Sequence, residues 1–332
     1  MARSHLTLAA LATSAVAGLD VAGAAPIGGA GDAEYDSALL TGRDGKHWII
    51  RVPRTEAAEA TQSADLVALR ALSAGIRSRL PFTISTYGGQ TPISGTRAVV
   101  YEFVYGDKAS LDDLDGGTTG LAASVGRAIA AIHTLPTSFV ADAGLPVLGS
   151  AECLRSAVTV IDRSAATGLV PVPLLTRWQK ATEDSGLWQF QSTVINNSLS
   201  ADSFLLNNGS ISGLLGWQDL RVGDPARDLA WLLGARGDDV ADSAFEAYVE
   251  VRPGDRQVTQ RALLYAELEI AKWLLHGTEV RSTAIVDDAV EMLAGLVDSV
   301  ENDVMNPIGA QTMPSMAVDE VEEFLARSER AI

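Results

Sequence analysis

The sequence predicts an α+β fold of two lobes, in which a β-rich N-terminal lobe precedes a mainly helical lobe. Three observations lead to this prediction. Extended segments with a hairpin signal dominate the chain before Gly106, apolar residues recur at helical spacing after it, and one β-like segment at 194–215 interrupts the helices. We divide the chain into an N-terminal helix and linker (1–31), an N-lobe (32–106), a helical C-lobe with an embedded hairpin (107–305) and a C-terminal extension (306–332).

The N-terminal residues fit either a first helix or a secretory signal. Arg3 precedes a moderately apolar stretch from Leu6 to Leu19, which is the order of charge and apolar residues found in signal peptides. The stretch is rich in Ala, Thr and Ser and lacks a strong Leu or Ile run, so we favour a helix that ends near Gly18. A small-residue linker, Ala22 to Gly31, follows. Its run Gly28–Gly31 is a weak phosphate-loop signal, because no strand-and-helix context follows it.

The N-lobe is predicted to contain a hairpin, a helix and a buried strand. Two extended segments flank Asp44-Gly45, a strong short-range hairpin signal: Tyr35–Thr41 and His47–Val52. Thr55 can cap the helix that follows, since its hydroxyl accepts a hydrogen bond from a first-turn N–H. The apolar and aromatic run Ala98–Val104 is typical of a buried strand.

The C-lobe is predicted to be helical around one hairpin. One helical stripe, which ends at Pro136, consists of Leu121, Val125, Ile129, Ile132 and Leu135. Further helices are predicted at Leu174–Asp184, Pro225–Gly234, Arg256–Leu275, Ile285–Val300 and Val318–Arg327. The embedded hairpin turns at Asn208-Gly209.

Composition limits the classes of function. The chain is 47% hydrophobic and 20% charged, so it can bury a core and is not predicted to be disordered. Its formal net charge of −17 repels phosphates, so we expect neither a nucleic-acid nor a membrane partner. The acidity either favours a cationic small molecule or only aids solubility. Cys153 is the only cysteine, which excludes a disulfide framework within the chain and indicates a reducing, cytoplasmic compartment.

Two segments carry a family resemblance. Residues 213–234 read GLLGWQDLRVGDPARDLAWLLG, and residues 194–206 read VINNSLSADSFLL. Weaker matches occur in the expected order at IIRVPR (49–54), VVYEFVYG (99–106) and AIAAIHTLP (128–136). Together these segments resemble the aminoglycoside and macrolide phosphotransferases. That family has a two-lobed protein-kinase-like fold and carries an HGD stretch, an Asn five residues after that Asp, an IDW stretch and a DPxxDLA stretch.

The resemblance implies a loss of the chemical groups that phosphoryl transfer uses. In the family, the HGD aspartate orients the substrate hydroxyl, while the later Asn and the IDW aspartate hold magnesium. The HGD positions fall on Asn196, Asn197 and Ser198 in this chain. The two metal-holding positions fall on Ser203 and Gly216. Serine is not a carboxylate base and glycine has no side-chain ligand, so we expect no metal site.

Neighbouring acids leave an alternative open. Asp202 precedes Ser203 by one residue and Asp219 follows Gly216 by three, so a shifted backbone could bring either carboxylate to the site. The acids of the DPARDLA stretch fit structural roles better. Asp224 before Pro225 is typical of a helix N-cap, and Asp228 resembles the family aspartate that braces the catalytic loop.

The nucleotide side of the cleft resembles the family more closely. Arg51 occupies the place of the phosphate-contacting basic residue on the third strand, and Asp65 falls near the helix acid that pairs with it. A plain surface ion pair explains these two residues equally well. The backbone near Phe103 and Val104 is where the family hinge meets adenine. ATP, or another nucleotide bound without magnesium, is therefore the ligand that the resemblance suggests.

Three functional hypotheses follow. The first is a degenerate phosphotransferase, a pseudokinase that binds a nucleotide, another ligand or a protein partner with little or no phosphoryl transfer. The second is an active small-molecule kinase that uses Asp202 or Asp219 as a substitute acid. The third is a structural interaction module that binds no nucleotide.

Overall fold

A computed structural model describes residues 3–27, 34–237, 239–302 and 308 of the chain. Within these residues the strands are β1 (Val21–Pro26), β2 (Tyr35–Gly42), β3 (His47–Pro53), β4 (Thr83–Ile84), β5 (Tyr87–Ile93), β6 (Thr96–Glu102), β7 (Asp107–Lys108), β8 (Thr193–Ile195), β9 (Phe204–Asn207), β10 (Ser210–Leu214) and β11 (Arg221–Gly223). The helices are α1 (His5–Ala15), α2 (Glu56–Ala71), α3 (Ala74–Arg77), α4 (Leu121–His133), α5 (Ser138–Asp142), α6 (Ser150–Ala165), α7 (Val172–Glu183), α8 (Ala226–Leu229), α9 (Val240–Val251), α10 (Val258–Glu279) and α11 (Thr283–Asn302). The predicted α+β class is confirmed.

The N-terminal sheet has the antiparallel order β1-β2-β3-β6-β5. The predicted hairpin is present, with Tyr35 opposite Pro53 and Thr41 opposite His47. The linker prediction was wrong for residues 22–26, because they belong to β1, which pairs with β2 as an edge strand. Alanine and glycine dominate β1 and have low strand propensity, so only tertiary pairing identifies it. The Gly28–Gly31 run lies outside the described residues.

Each face of this sheet packs against a different helix. Strand residues on one face, such as Leu40, Ile50 and Val100, form a small core with Leu8 and Ala12 of α1. On the opposite face, Val99 and Tyr101 of β6 belong to a second core. This core also includes Leu66 and Leu69 of α2 and residues of the helical lobe such as Ile129 and Trp217. The two lobes therefore share one continuous apolar core.

Gly106 lies where the chain passes from the first sheet to a second one. The second sheet has the order β4-β10-β9-β7, and its β4 is parallel to β10, with Thr83 opposite Gly213. The backbone φ of Gly106 is +145°, and a Cβ there would lie 2.5 Å from Ser212 Oγ and 2.9 Å from the Leu206 carbonyl oxygen. Only glycine allows the connection to approach the β9–β10 hairpin this closely.

The helical lobe contains helices that the sequence did not indicate. The predicted stripe at Leu121 to Leu135 forms α4, which ends at His133, two residues before the predicted end. Helices α7, α10 and α11 lie where they were predicted. Helices α6 and α9 were missed. Small side chains make up much of their buried faces: Cys153, Ala157, Ser164, Ser243, Ala244 and Ala247.

Two other helix predictions have different outcomes. The segment predicted at Pro225–Gly234 is a short α8 that continues as a 3-10 helix, Ala230–Gly234. The helix predicted at Val318–Arg327 lies outside the described residues. Among the helices that the structure describes, none is long and apolar enough to cross a membrane.

Candidate active-site cleft

Asp228 anchors the loop that follows β8. The side chain is fully buried, and its two carboxylate oxygens accept hydrogen bonds from the backbone N–H groups of Asn196 at 2.8 Å and Asn197 at 2.6 Å. His133 Nε2 lies 3.1 Å from the same carboxylate, and its Nδ1 lies 3.0 Å from the Tyr248 hydroxyl. A His133 ring that donates from Nε2 to Asp228 and accepts at Nδ1 from Tyr248 satisfies both bonds. Asp228 and His133 thus hold the backbone of the loop from inside the core.

The Asn196–Ser198 loop keeps a tight turn in which asparagine replaces glycine. Asn197 has φ +70°, in the left-handed region. Asparagine adopts this region more readily than other residues that have a Cβ. The substitution of Asn for the Gly of the HGD pattern is therefore compatible with the turn.

Asn196 and Ser198 link this loop to the segment around Gly216. Asn196 Nδ2 donates to the Gly216 carbonyl oxygen at 2.7 Å, while Asn196 Oδ1 accepts from the backbone N–H and the hydroxyl of Ser198. Gln218 Nε2 donates to the Ser198 hydroxyl oxygen at 3.2 Å. Side-chain amides and a hydroxyl thus form a neutral network around Ser198 and Gly216, the positions to which the resemblance assigns the acid and one of the two metal ligands.

The two predicted metal positions hold no carboxylate. Gly216 has φ +75°, and a Cβ there would contact only the Gln218 side chain, at 3.5 Å. Ser203 Oγ accepts a hydrogen bond from Ser200 N–H at 3.2 Å. Within residues 3–27, 34–237 and 239–302, no three His, Cys, Asp or Glu side chains lie close enough together to hold a metal ion. This donor set does not fit magnesium, which prefers carboxylate oxygens.

The neighbouring acids have other partners. Asp202 accepts from the Ser200 hydroxyl at 2.5 Å and from Lys108 Nζ at 3.2 Å. The Ser200 hydrogen bond, and to a smaller degree Lys108, keep the pKa of Asp202 below its ordinary value, which weakens it as a base. Asp219 pairs with Arg221 at 3.1 Å.

A cavity of ≈ 420 Å³ lies between the lobes, beside this network. Arg51, Asp65, Phe103, Val104 and Gly216 are all part of its lining. The structure therefore brings the four predicted nucleotide-side residues to one cavity. Ser198 and Ser203 are not among the residues that line it.

The expected pairing of Arg51 with Asp65 is replaced by another arrangement. Asp65 Oδ1 accepts a hydrogen bond from the Trp217 backbone N–H at 2.9 Å. The Arg51 guanidinium instead lies over the Tyr35 ring, 5.5 Å from its centre, and no ion pair between the two side chains occurs among the described residues. Aspartate is shorter than the glutamate that would reach the third strand, and the segment after Gly216 offers a nearer donor.

The hinge backbone is only partly available to a ligand. The Phe103 N–H donates to the His47 carbonyl oxygen at 3.0 Å, so it does not face a base. Phe103 and Val104 nevertheless line the cavity, and within the described chain the Val104 N–H donates to no protein group. Of the two residues predicted at the hinge, Val104 is therefore the one whose backbone N–H has no partner within the described chain.

Asp224 has a larger structural role than the predicted helix cap. Helix α8 begins at Ala226, and Asp224 Oδ1 accepts from the Ala226 N–H at 3.0 Å. Asp224 Oδ2 also accepts from Arg261 Nε at 2.8 Å and from the Tyr265 hydroxyl at 3.0 Å. Asp224 and Arg261 are fully buried. The sequence did not predict this buried ion pair, because a single arginine such as Arg261 in a helix is usually exposed.

Replacement of Asp65 by asparagine is expected to leave stability unchanged or raised at neutral pH. Burial raises the pKa of Asp65, although the Trp217 N–H and then Arg51 and Arg77 act in the opposite direction. A carboxyl whose pKa is raised in the folded state contributes stability at low pH. That stability is lost as the pH rises from the ordinary pKa of an aspartate to the raised pKa in the folded state. Asparagine removes that loss and still offers an acceptor to Trp217.

Thermal denaturation from acid to neutral pH tests this expectation. The matched control is Asp65→Leu, which leaves the Trp217 N–H without a partner and should cost about 1–3 kcal/mol. If Asp65→Asn lowers the melting temperature at neutral pH as much as Asp65→Leu does, the negative charge of Asp65 itself stabilises the cleft, and the expectation is wrong.

Comparisons with known proteins agree with this architecture. The model of the phosphotransferase enzyme family matches residues 28–263. An uncharacterized protein of Bacillus subtilis (strain 168), YcbJ, is 24% identical over 197 residues, which is 55% of this chain and 61% of that relative.

Solved structures show the same fold. A macrolide 2'-phosphotransferase type I has 22% identity and a TM-score of 0.68, covering 88% of this chain and 98% of that one. The macrolide 2'-phosphotransferase MphH of Brachybacterium faecium has 20% identity and a TM-score of 0.67, covering 87% and 98%. The GDP complex of aminoglycoside 2'-phosphotransferase-IIIa has 18% identity and a TM-score of 0.69, covering 90% and 100%. The chain belongs to the phosphotransferase enzyme family and has the protein-kinase-like fold of its macrolide and aminoglycoside members.

Proposed function

We propose that this protein is a degenerate phosphotransferase that binds a nucleotide in the cleft between its lobes with little or no phosphoryl transfer. One observation carries the proposal. The interlobe cavity has a basic residue and a hinge edge, whereas the adjoining positions for the base and the metal ligands hold Ser198, Ser203 and Gly216. The cavity thus has groups that could bind a nucleotide, whereas the groups that would catalyse phosphoryl transfer are missing beside it.

The ligand class is supported by the relatives. Solved members of this fold are described as complexes with GDP, with ADP, and with GDP and kanamycin. We therefore propose a purine nucleotide as the first ligand to test. The net charge of −17 would also favour a cationic second ligand or a protein partner with a basic surface. The single cysteine supports a cytoplasmic location.

The active-kinase alternative is less well supported by the geometry. It requires Asp202 or Asp219 to leave a basic partner and reach the cleft. The interaction-module alternative requires the ≈ 420 Å³ cavity to bind no nucleotide. A single titration separates all three hypotheses.

Thermal shift with ATP and GTP, in magnesium and in EDTA, provides that titration. Ligand binding to the folded state raises stability by RT ln(1 + [L]/Kd), so weak binding appears at high ligand concentration. The proposed function predicts shifts that are equal in magnesium and in EDTA. Shifts seen only with magnesium support the active kinase, and no shift with any nucleotide supports the interaction module.

Arg51→Ala is expected to weaken nucleotide binding about tenfold or more. A charge-assisted hydrogen bond contributes about 1.5–3 kcal/mol, and 1.4 kcal/mol corresponds to a factor of ten in affinity. Calorimetry in EDTA measures the loss. The matched control is Arg79→Ala, which removes the same charge from an exposed position outside the cavity lining. Equal affinities of the Arg51 variant and the wild type would refute a phosphate contact by Arg51.

A further inference from the structure

Two residues of the N-lobe wall of the cavity, Gln62 on α2 and Ser37 on β2, each carry a buried polar atom. Both residues line the cavity, and within the described chain neither Gln62 Oε1 nor Ser37 Oγ forms a hydrogen bond. Gln62 is only 3% exposed. A buried polar atom left unpaired costs free energy, and a ligand that pairs with these atoms, once the two side chains turn toward the cavity, would recover it.

The chemical character of these two atoms is set by their neighbours. Gln62 Nε2 donates to the Arg51 carbonyl oxygen at 3.4 Å, which orients the amide with Oε1 as a free acceptor. Ser37 lies opposite Arg51 in the β2–β3 register, so the three side chains form one contiguous patch. An acceptor beside a hydroxyl favours a ligand that brings hydroxyl groups, and a phosphate oxygen cannot donate to Gln62.

The charge of the cavity lining disfavours a strongly anionic ligand relative to a neutral or weakly anionic one. Among the described residues that line it, the charged ones are Arg51, Lys108, Asp65 and Glu102, whose formal charges cancel. Lys108 is already paired with Asp202. A monophosphate carries about −1.5 to −2 charges and can be met by Arg51, whereas a triphosphate without magnesium brings further charges toward Asp65 with no cation to offset them.

Building on the proposed function, we propose that the cavity binds a purine nucleoside or nucleoside monophosphate in preference to the triphosphate. The sugar hydroxyls donate to Gln62 Oε1 and exchange hydrogen bonds with Ser37 Oγ, and Arg51 contacts at most one phosphate. This order of affinity is opposite to that of an enzyme that consumes a triphosphate.

Calorimetric titration of the full chain in EDTA tests the order directly. The ligands are adenosine, AMP, ADP and ATP, with the guanine series in parallel. We expect the nucleoside and the monophosphate to bind at least tenfold more tightly than the triphosphate. Raising the ionic strength should narrow the gap, because salt screens the repulsion. A triphosphate that binds as tightly as the monophosphate, or more tightly, overturns the inference.

Variants test the hydroxyl contacts. Gln62→Met removes the acceptor at similar size, and Ser37→Ala removes the hydroxyl with minimal change in shape. Each should weaken adenosine binding at least threefold while leaving 2',3'-dideoxyadenosine unaffected. Ser37→Ala retains the test if Gln62→Met fails to fold. Unchanged adenosine binding by the folded variants overturns the hydroxyl contacts. Failure of every ligand to bind, or binding only with magnesium, refutes the proposed function itself.

Discussion

Replacement of Asp228 by alanine is expected to lower the free energy of unfolding by about 3–5 kcal/mol, the range seen when one partner of a buried charged contact is removed. Asp228 is fully buried and accepts from the backbone N–H groups of Asn196 and Asn197 and from His133. Alanine leaves these donors without partners inside the core, where each costs about 1–3 kcal/mol. Denaturant unfolding followed by tryptophan fluorescence measures the change.

Two controls make the Asp228 result specific. Asp228→Asn keeps one acceptor oxygen and should show an intermediate loss. Asp162→Ala removes an exposed carboxylate on α6 and should change stability by less than about 0.5 kcal/mol. A loss below about 1 kcal/mol for Asp228→Ala would mean that the Asn196–Ser198 loop finds other support, and that the brace does not define its shape.

The second large effect concerns catalysis. We expect no measurable phosphate transfer to aminoglycosides or macrolides, because loss of general base assistance alone reduces rates by about 10²–10⁴ and the metal ligands are also missing. Transfer of labelled phosphate to a panel of both antibiotic classes measures this. Turnover by the wild type at the ~1–10³ s⁻¹ of ordinary enzymes would overturn the proposed function.

Restoring the three named positions is expected to fail as well. Ser198→Asp replaces a hydroxyl that donates to Asn196 Oδ1 with a carboxylate that repels it. Gly216→Asp forces a side chain into the left-handed region at φ +75°, which costs about 1–2 kcal/mol. The triple variant with Ser203→Asn should therefore fold less stably and remain inactive, since catalytic groups that act as a unit give little when partly rebuilt.

A variant with five substitutions, called here the fivefold variant, tests whether the two asparagines also prevent activity. Adding Asn196→His and Asn197→Gly to the triple variant rebuilds the whole HGD pattern and removes the amide that bonds the Gly216 carbonyl oxygen. If activity returns only in the fivefold variant, the asparagines hold the inactive loop shape. Activity in the triple variant would contradict that interpretation.

Local signals explain which parts of the fold were predictable. The β2–β3 hairpin and the Thr55 cap depend on a few adjacent residues, and both are present. Strand β1 depends on pairing with β2, and α9 depends on small residues that fit against α4, so neither has a strong pattern of its own. The sequence predicts elements well where the deciding contacts are close along the chain.

In the cleft, too, some features were predictable from the sequence and others depend on tertiary packing. Motif order was enough to place Arg51, Asp65 and Val104 at one cavity. It could not show that Asp65 would accept from Trp217, since that choice depends on a difference of one methylene in reach. Gln62 had no signal at all, because a polar residue in a surface-like helix pattern reveals its burial only when the sheet is packed against it.

The parallel pairing of β4 with β10 gives the lobes a second connection besides Gly106. Residues 83–84 and 213–214 come from opposite sides of the hinge yet pair in one parallel ladder. The Trp217 N–H, in the helical lobe, also donates a hydrogen bond to Asp65 in the N-lobe. A chain divided at Gly106 would leave an open strand edge on each half. The two lobes are therefore expected to unfold together in one cooperative transition. We also expect the cleft to open only slightly when a ligand enters.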